Sequence, residues 1–326
     1  MMALIGLFLS AILWFVISAL PLAIIVVPII IFVKIKSAEE QRKREEYESS
    51  IYYQSTKIPY NAVRRAGTHG EYCTYRALEQ CALPGTRFLF NVYLKSESGW
   101  TTEIDVVMLS PSGIFVIESK DYSGWVFGSE SQKNWCQTFP AGRGTSEKFT
   151  FYNPIMQNRT HIQHLRIIVG QDCPVYSIIA FSDQCTLRDI QVDSEDVYVI
   201  YRSQIAQTIS SINSKASMAA LSENDMTTLY ECMFPLTQVE AATKEQHIMH
   251  VQEKQVKEHQ REAAVQARNM EERQTVRNNY RETGMLKCPR CNGNLVIRTV
   301  KKGTNAGKQF YGCSRYPGCK YTQNID

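Results

Sequence analysis

Residues 106–109 and 114–117 form two unbroken apolar runs, Val-Val-Met-Leu and Ile-Phe-Val-Ile, separated only by Ser110-Pro111-Ser112-Gly113. Continuous runs of this kind belong to strands buried on both faces. The chain must therefore build a layered structure around a sheet. A turn centred between Pro111 and Ser112 pairs residues whose numbers sum to 223, so Asp105 is set opposite Glu118. Opposed residues of an antiparallel pair share one face with Cβ atoms roughly 5 Å apart, and like charges placed that way repel. Something cationic is expected between them, and a divalent metal with oxygen ligands fits. Lys120 lies two residues beyond Glu118 and shares its face, where it can hold or polarise a phosphate or a water. A Glu-x-Lys alone reads as a surface salt bridge. The aspartate in mirror register argues for a site instead.

Around this hairpin the pattern predicts a helix over 70–81, strands over 87–94, 101–109 and 114–119, and a helix over 154–169 opened by Asn153-Pro154. Strands over 175–181 and 197–201 and helices over 203–211 and 223–232 follow. The order suits an α+β fold, a mixed sheet with flanking helices. Glu71 has two readings. Thr68-His69-Gly70-Glu71 is a capping box, and Glu71 is also placed to join the carboxylates. Gln157 on the later helix is assigned to the site. His161 and His164 lie three apart on that helix, but nothing completes a metal set with them, so they read as surface or supporting residues.

From Ala3 to Val33 no residue is charged, a length that at about 1.5 Å per residue exceeds the roughly 30 Å hydrocarbon core of a bilayer. No signal-peptide cleavage pattern is clear, and Lys34, Lys36, Arg42, Lys43 and Arg44 all follow the run. The positive-inside rule then predicts a single-pass transmembrane helix in the cytoplasmic membrane, N-terminus outside and the bulk of the chain in the cytoplasm. Pro21 and Pro28 allow a kink, or two re-entrant helices. Residues 239–282 hold no glycine or proline and eight Lys or Arg against eight Glu, which reads as a long solvated spacer helix. A coiled-coil dimer through it is the alternative, and His247, His250 and His259 on it read as exposed.

Near the C-terminus, Cys288-Pro289-Arg290-Cys291 precedes Cys313 and Cys319. Four thiolates at such spacing suit a closed tetrahedral Zn²⁺ site in a small ribbon, whose folding free energy would come largely from the metal. The other six cysteines show no framework spacing, which agrees with a reducing compartment. Eight basic residues of the tail face one acidic residue, Asp326, although the whole chain of 326 residues carries only +4. Arg290, Lys301, Lys302, Lys308, Phe310, Tyr311, Arg315 and Tyr316 form a cationic and aromatic set suited to nucleic acid. A basic protein-binding ribbon is the plainer alternative.

Several segments together resemble the nuclease-related domain (NERD) family, a branch of the PD-(D/E)xK nuclease-like superfamily: Gly70-Glu71, Glu103-Ile104-Asp105, the run from Gly113 through Glu118-Ser119-Lys120 to Gly124, Trp135, and Asn153-Pro154-Ile155-Met156-Gln157. The likeness covers about 67–181. It implies a small α/β core in which Glu71 joins Asp105, Glu118 and Lys120, with Asp105 and Glu118 holding Mg²⁺ or Mn²⁺. Residues 288–321 resemble the four-cysteine zinc finger of type IA DNA topoisomerases, which implies binding of single-stranded DNA. Topoisomerase activity does not follow, because the chain has no room for a cleavage core. The expected organisation is an anchor (1–36), a cytoplasmic stalk touching lipid (37–60), a nuclease-like domain (61–235), a spacer (236–284) and a ribbon (285–326). The expected function is a membrane-anchored, metal-dependent DNA endonuclease; a non-catalytic membrane tether for nucleic acid is the alternative. Charge and aromatic content do not separate DNA from RNA.

Overall fold

The computed structural model of the protein describes the backbone of residues 2–63, 67–96, 99–140, 146–215, 220–283, 286–302 and 306–325, with side chains from Val26 onward except at Pro140 and at scattered positions between 258 and 283. The chain falls into two compact units, residues 1–243 and 244–326.

The first unit opens with helices α1 (Met2–Ser49), α2 (Ile51–Thr56), α3 (Tyr60–Val63) and α4 (Thr68–Glu79). Strands β1 (Arg87–Lys95), β2 (Thr101–Ser110) and β3 (Gly113–Lys120) follow as an antiparallel meander. Strands β4 (Gly124–Ser129), β5 (Asn134–Pro140) and β6 (Ser146–Tyr152) precede α5 (Pro154–Val169), and β7 (Val175–Phe181), β8 (Cys185–Gln191) and β9 (Val197–Tyr201) follow it. Helices α6 (Ile205–Lys215) and α7 (Glu223–Met233) complete the unit. The central sheet runs β1-β2-β3-β7-β9. Its β3, β7 and β9 are mutually parallel, so the expected mixed sheet is present.

The apolar runs explain this sheet. Ile114, Phe115, Val116 and Ile117 are all inaccessible, because both faces of β3 are covered. One face packs against Tyr47, Tyr52, Tyr75, Leu78, Ile205 and Ile209 from the helices before β1 and from α6. The other packs against Leu165 of α5 and Met226 and Met233 of α7. The hairpin register is the one whose residue numbers sum to 223, from Ser110 opposite Gly113 to Val106 opposite Ile117. There the ladder stops, one step short of Asp105 and Glu118.

Strand alternation breaks at the same level. In β1, Phe88 and Phe90 enter the first cluster while Leu89, Val92 and Leu94 enter the second; in β2, Val106 and Met108 enter the first while Ile104, Val107 and Leu109 enter the second. A strict period of two fails at Asn91 and Asp105, which lie between the pairs Phe90–Val106 and Val92–Ile104. Asn91 has φ 53°, a left-handed conformation that asparagine tolerates better than most residues.

A second sheet, β6-β5-β4-β8, was not expected. Its core holds Val126, Trp135, Ile155, Ile179, Phe181 and Cys185. Gly128 belongs there because a Cβ at that position would run into the Trp135 ring.

The expected single-pass anchor needs correction. Among the described residues no helix is long and apolar enough to cross a membrane. Residues 3–25, which supplied most of that expectation, lie outside the described side chains. With the anchor go the membrane location and the lipid partner. The segment expected as a stalk instead enters the fold: Tyr47 and Tyr52 are inaccessible, and Glu46 pairs with Arg76 of α4 at 2.6 Å.

The second unit contains most of α8 (Ala241–Thr283) and the strands β10 (Leu295–Thr299), β11 (Gln309–Cys313) and β12 (Thr322–Asn324), which form one antiparallel sheet. Val276 of α8 is buried with Cys288, Leu295, Cys313 and Tyr321. The end of the helix is therefore part of the ribbon's core and not wholly a solvated spacer. Nothing in the structure supports the dimer through this helix. His259 lies outside the described side chains.

Candidate active site and metal centre

The site forms where β2 and β3 leave their ladder. Past Val106 and Ile117 the strands no longer exchange bonds, and the Ser119 amide donates instead to Asp105 Oδ2 at 2.8 Å. Glu118, only 2 % exposed, points toward α5, the face also taken by Val116. Gln157 on that helix donates to Glu118 Oε1 at 2.7 Å. Lys120 Nζ reaches the same oxygen at 2.7 Å and Gln157 Oε1 at 3.1 Å. Helix α5 is held in place for this contact by two asparagines. Asn153 caps it by accepting from the Ile155 amide and donates to the carbonyls of Ser129, Glu130 and Gln132. Buried Asn158 donates to Val116 O and Ser177 Oγ.

His161 is one helical turn beyond Gln157 and is buried, so of the two readings offered by the sequence, surface or supporting residue, its position matches the second. Its Nδ1 is 2.7 Å from Thr102 Oγ1. Its Nε2 stands 3.2 Å from Glu118 Oε2, close enough for an ionic contact but without hydrogen-bond geometry, so both atoms lack a hydrogen-bond partner. His164 is exposed and bonds Thr160 O.

Glu71 comes from the opposite side, on α4. The capping-box reading fails, because the N-cap is Gly67 with φ 90° and no side-chain cap. The Glu71 carboxylate accepts instead from Tyr52 Oη at 3.1 Å. Glu103, which the sequence offered only as part of a motif, accepts from Asn91 at 2.9 Å and Tyr93 at 2.7 Å. Tyr52, Asn91, Tyr93, Glu103 and His161 were not assigned to the site from sequence. Only parity along β2 pointed to Glu103, two residues from Asp105; Asn91 and Tyr52 depend on register and packing that no local pattern carries.

The electrostatics are those of crowded carboxylates. Burial pushes Glu71 up to about 7, helped by repulsion from Glu103 and then Glu118, while bonds from Tyr52 and Asn91 pull the other way. Burial, then Glu118 and Glu71, push Asp105 well above the usual carboxylate range. Burial acts in the same direction on Glu118, but Lys120 and His161 prevail and hold it at about 2. Burial tends to lower Lys120, yet Glu118 and Asp105 keep it above its ordinary value and hence cationic. The donor set is hard oxygen of the type that binds Mg²⁺ or Mn²⁺. Among the described residues, however, the carboxylates do not close into a group of three within 4.8 Å of one another.

The four cysteines do. Cys288, Cys291, Cys313 and Cys319 bring their sulfurs within 4.8 Å of one another, with Cys288 and Cys319 3.7 Å apart and Cys291 and Cys313 3.4 Å apart. A zinc tetrahedron with bonds of about 2.3 Å has edges of about 3.8 Å, whereas a disulfide needs about 2.05 Å. The set therefore fits structural Zn²⁺.

The cationic and aromatic set divides. Arg290 is tied to Glu272 at 3.1 and 3.4 Å and lies 5.5 Å over the Tyr321 ring. Tyr311 packs toward the ribbon's core. Phe310 pairs across the strands with Arg298, whose guanidinium lies 5.5 Å over the ring of Tyr316, itself 59 % exposed. Lys301, Lys302, Lys308 and Arg315 are exposed, and Arg315 also donates to Cys291 O.

The first unit thus holds an α+β domain with an acidic site at a strand end, and the second a four-cysteine ribbon. Comparison agrees at that level: residues 66–182 match the family model of the nuclease-related domain, and residues 286–326 match that of the topoisomerase DNA binding C4 zinc finger. An uncharacterized protein of Bacillus anthracis is 28% identical over 207 residues, 62% of this chain and 93% of that protein. DNA topoisomerase 1 of Archaeoglobus fulgidus is 56% identical over 36 residues, 11% of this chain and only 5% of that protein. No solved structure matches.

Proposed function

We propose that the protein is a metal-dependent DNA endonuclease whose ribbon holds single-stranded DNA. The observation that carries this reading is the register that brings Asp105 and Glu118 together where the β2–β3 ladder ends, with Lys120 on the Glu118 face. Asp105 and Glu118, with Glu71 as a third carboxylate, would hold Mg²⁺ or Mn²⁺. When bound there, such a cation supplies Lewis acidity and positive charge for the reacting phosphate. Lys120 presents an ammonium beside that charge, where it orients a water or stabilises the pentacoordinate transition state. Gln157 fixes the Lys120 ammonium, and His161 with Thr102 backs Glu118 from the side away from Lys120. Phe310 and Tyr316 offer stacking faces among exposed lysines.

The test is cleavage of single- and double-stranded DNA, with RNA of the same sequence alongside, in Mg²⁺ or Mn²⁺ by the wild-type chain, Asp105→Ala and Lys120→Ala. Each variant should lose about 10²-fold or more in rate while still binding DNA. Equal cutting by all three would mean a contaminant and would sink the proposal. A second reading, non-catalytic nucleic-acid binding, is favoured by the ion-paired state of Glu118 and the open spacing of the carboxylates. Retained DNA binding without any cutting is its signature.

A further inference from the structure

Tyr52 lies on α2, fourteen residues before the segment that matches the nuclease-related domain begins at residue 66. Its side chain is inaccessible and its ring is surrounded by Tyr47, Tyr72, Tyr75 and Phe90, with centroids 5.0 to 6.3 Å away. A phenol in such a setting needs a partner for its hydroxyl. The partner it has is Glu71, at 3.1 Å.

The surroundings hold α2 firmly. Ser50 caps it by accepting from the Tyr53 amide, Tyr47 donates to Ile58 O at 2.7 Å, and Glu46 pairs with Arg76. The hydroxyl therefore meets Glu71 from a fixed position. Glu71 needs such a support, because Glu103 and Glu118 repel it.

We propose that Tyr52 is a positioning residue that orients the Glu71 carboxylate toward the Asp105–Glu118 pair, so that a helix outside the matched domain completes the divalent-cation site. This rests on the metal-site reading above. Hydrogen bonds from outer partners to ligating carboxylates commonly contribute 10- to 100-fold in metal affinity, and a tyrosine fixed by four aromatic neighbours keeps its direction while metal comes and goes.

The experiment measures Mn²⁺ binding by electron paramagnetic resonance to the full-length, zinc-loaded chain, with thermal unfolding in parallel. Four forms are compared: wild type, Tyr52→Phe, Tyr75→Phe and Asp105→Ala. Tyr75 belongs to the same aromatic cluster but donates to Glu79 at 2.7 Å, so it reports loss of a hydroxyl from packing alone. Tyr52→Phe should weaken Mn²⁺ binding about 10-fold, with a metal-free midpoint lowered by no more than about 2–4 °C. Tyr75→Phe should lower the midpoint comparably and leave Mn²⁺ affinity unchanged. If Tyr52→Phe binds Mn²⁺ as the wild type does, the hydroxyl serves packing only, and the inference fails while the metal site stands. If the wild type binds no more Mn²⁺ than Asp105→Ala, the metal-site reading fails and takes this inference with it.

Discussion

Glu71 and Asp105 make the site's charge state depend on pH in a direction that can be stated. Glu71 ionises at about 7 in the folded chain against an ordinary value of 4.5, and Asp105 is also raised above its ordinary 3.8. The folded state thus keeps protons that the unfolded chain has already lost. Without a cation, Glu71 makes stability fall as pH rises from its ordinary 4.5 through about 7, and Asp105 acts in the same direction as pH rises above its ordinary 3.8. Glu118 acts in the opposite sense: held at about 2, it stabilises the fold above its ordinary value, and that contribution is lost as pH falls toward 2. A cation between the carboxylates relieves the first cost only where they are ionised. Mn²⁺ should therefore raise the thermal midpoint more at about pH 8 than at about pH 5.5. Equal shifts in the two buffers would place the cation elsewhere. Asp105, Glu118, Lys120 and Gln157 were legible because each sits at a fixed offset from a turn or a helix start. His161 was not, since its neighbours Thr102 and Glu118 come from other elements.

At the scale of elements, the hairpin of β2 and β3 could be read from sequence because one Ser-Pro-Ser-Gly turn between apolar runs sets its register. Helix α5 was equally plain, with Asn153-Pro154 as its start. The second sheet escaped because its edge strand β6 is exposed almost throughout and β8 alternates little, so neither carries the hydrophobic period that identifies a strand. Asn153 joins what was legible to what was not: its side chain caps α5 and also ties down three carbonyls, one at the end of β4 and two in the loop that leads to β5. Asn153→Ala removes the cap and takes the side-chain amide donor from Glu130 O and Gln132 O, while Ser129 O keeps Trp135 Nε1 at 3.0 Å. It should cost about 2–4 kcal/mol, measured by urea unfolding, and should reduce cleavage as well because α5 carries Gln157 and His161. A cost below about 0.5 kcal/mol would show that Pro154 alone is enough to start the helix.

For the whole molecule, the two compact units should respond differently to loss of zinc. The ribbon's buried residues are few, Cys288, Leu295, Cys313 and Tyr321 with Val276 from α8, and so small a core folds only with its metal. A strong chelator should abolish DNA binding and the protease resistance of residues 286–325, while the β1–β9 region keeps its cooperative unfolding transition. Loss of both together would mean that the units share one folding equilibrium. The cysteine spacing and the basic tail were visible in sequence, but Val276 and the Glu272–Arg290 pair were not, because a helix so rich in charges of both signs conceals an inward-facing valine. That valine limits how the ribbon can be exchanged between proteins. A splice that carries away only the 41 matched residues leaves an apolar gap against the metal-bound core, whereas a splice upstream of Glu271 transfers a cassette with its own lid and one of its arginines already neutralised.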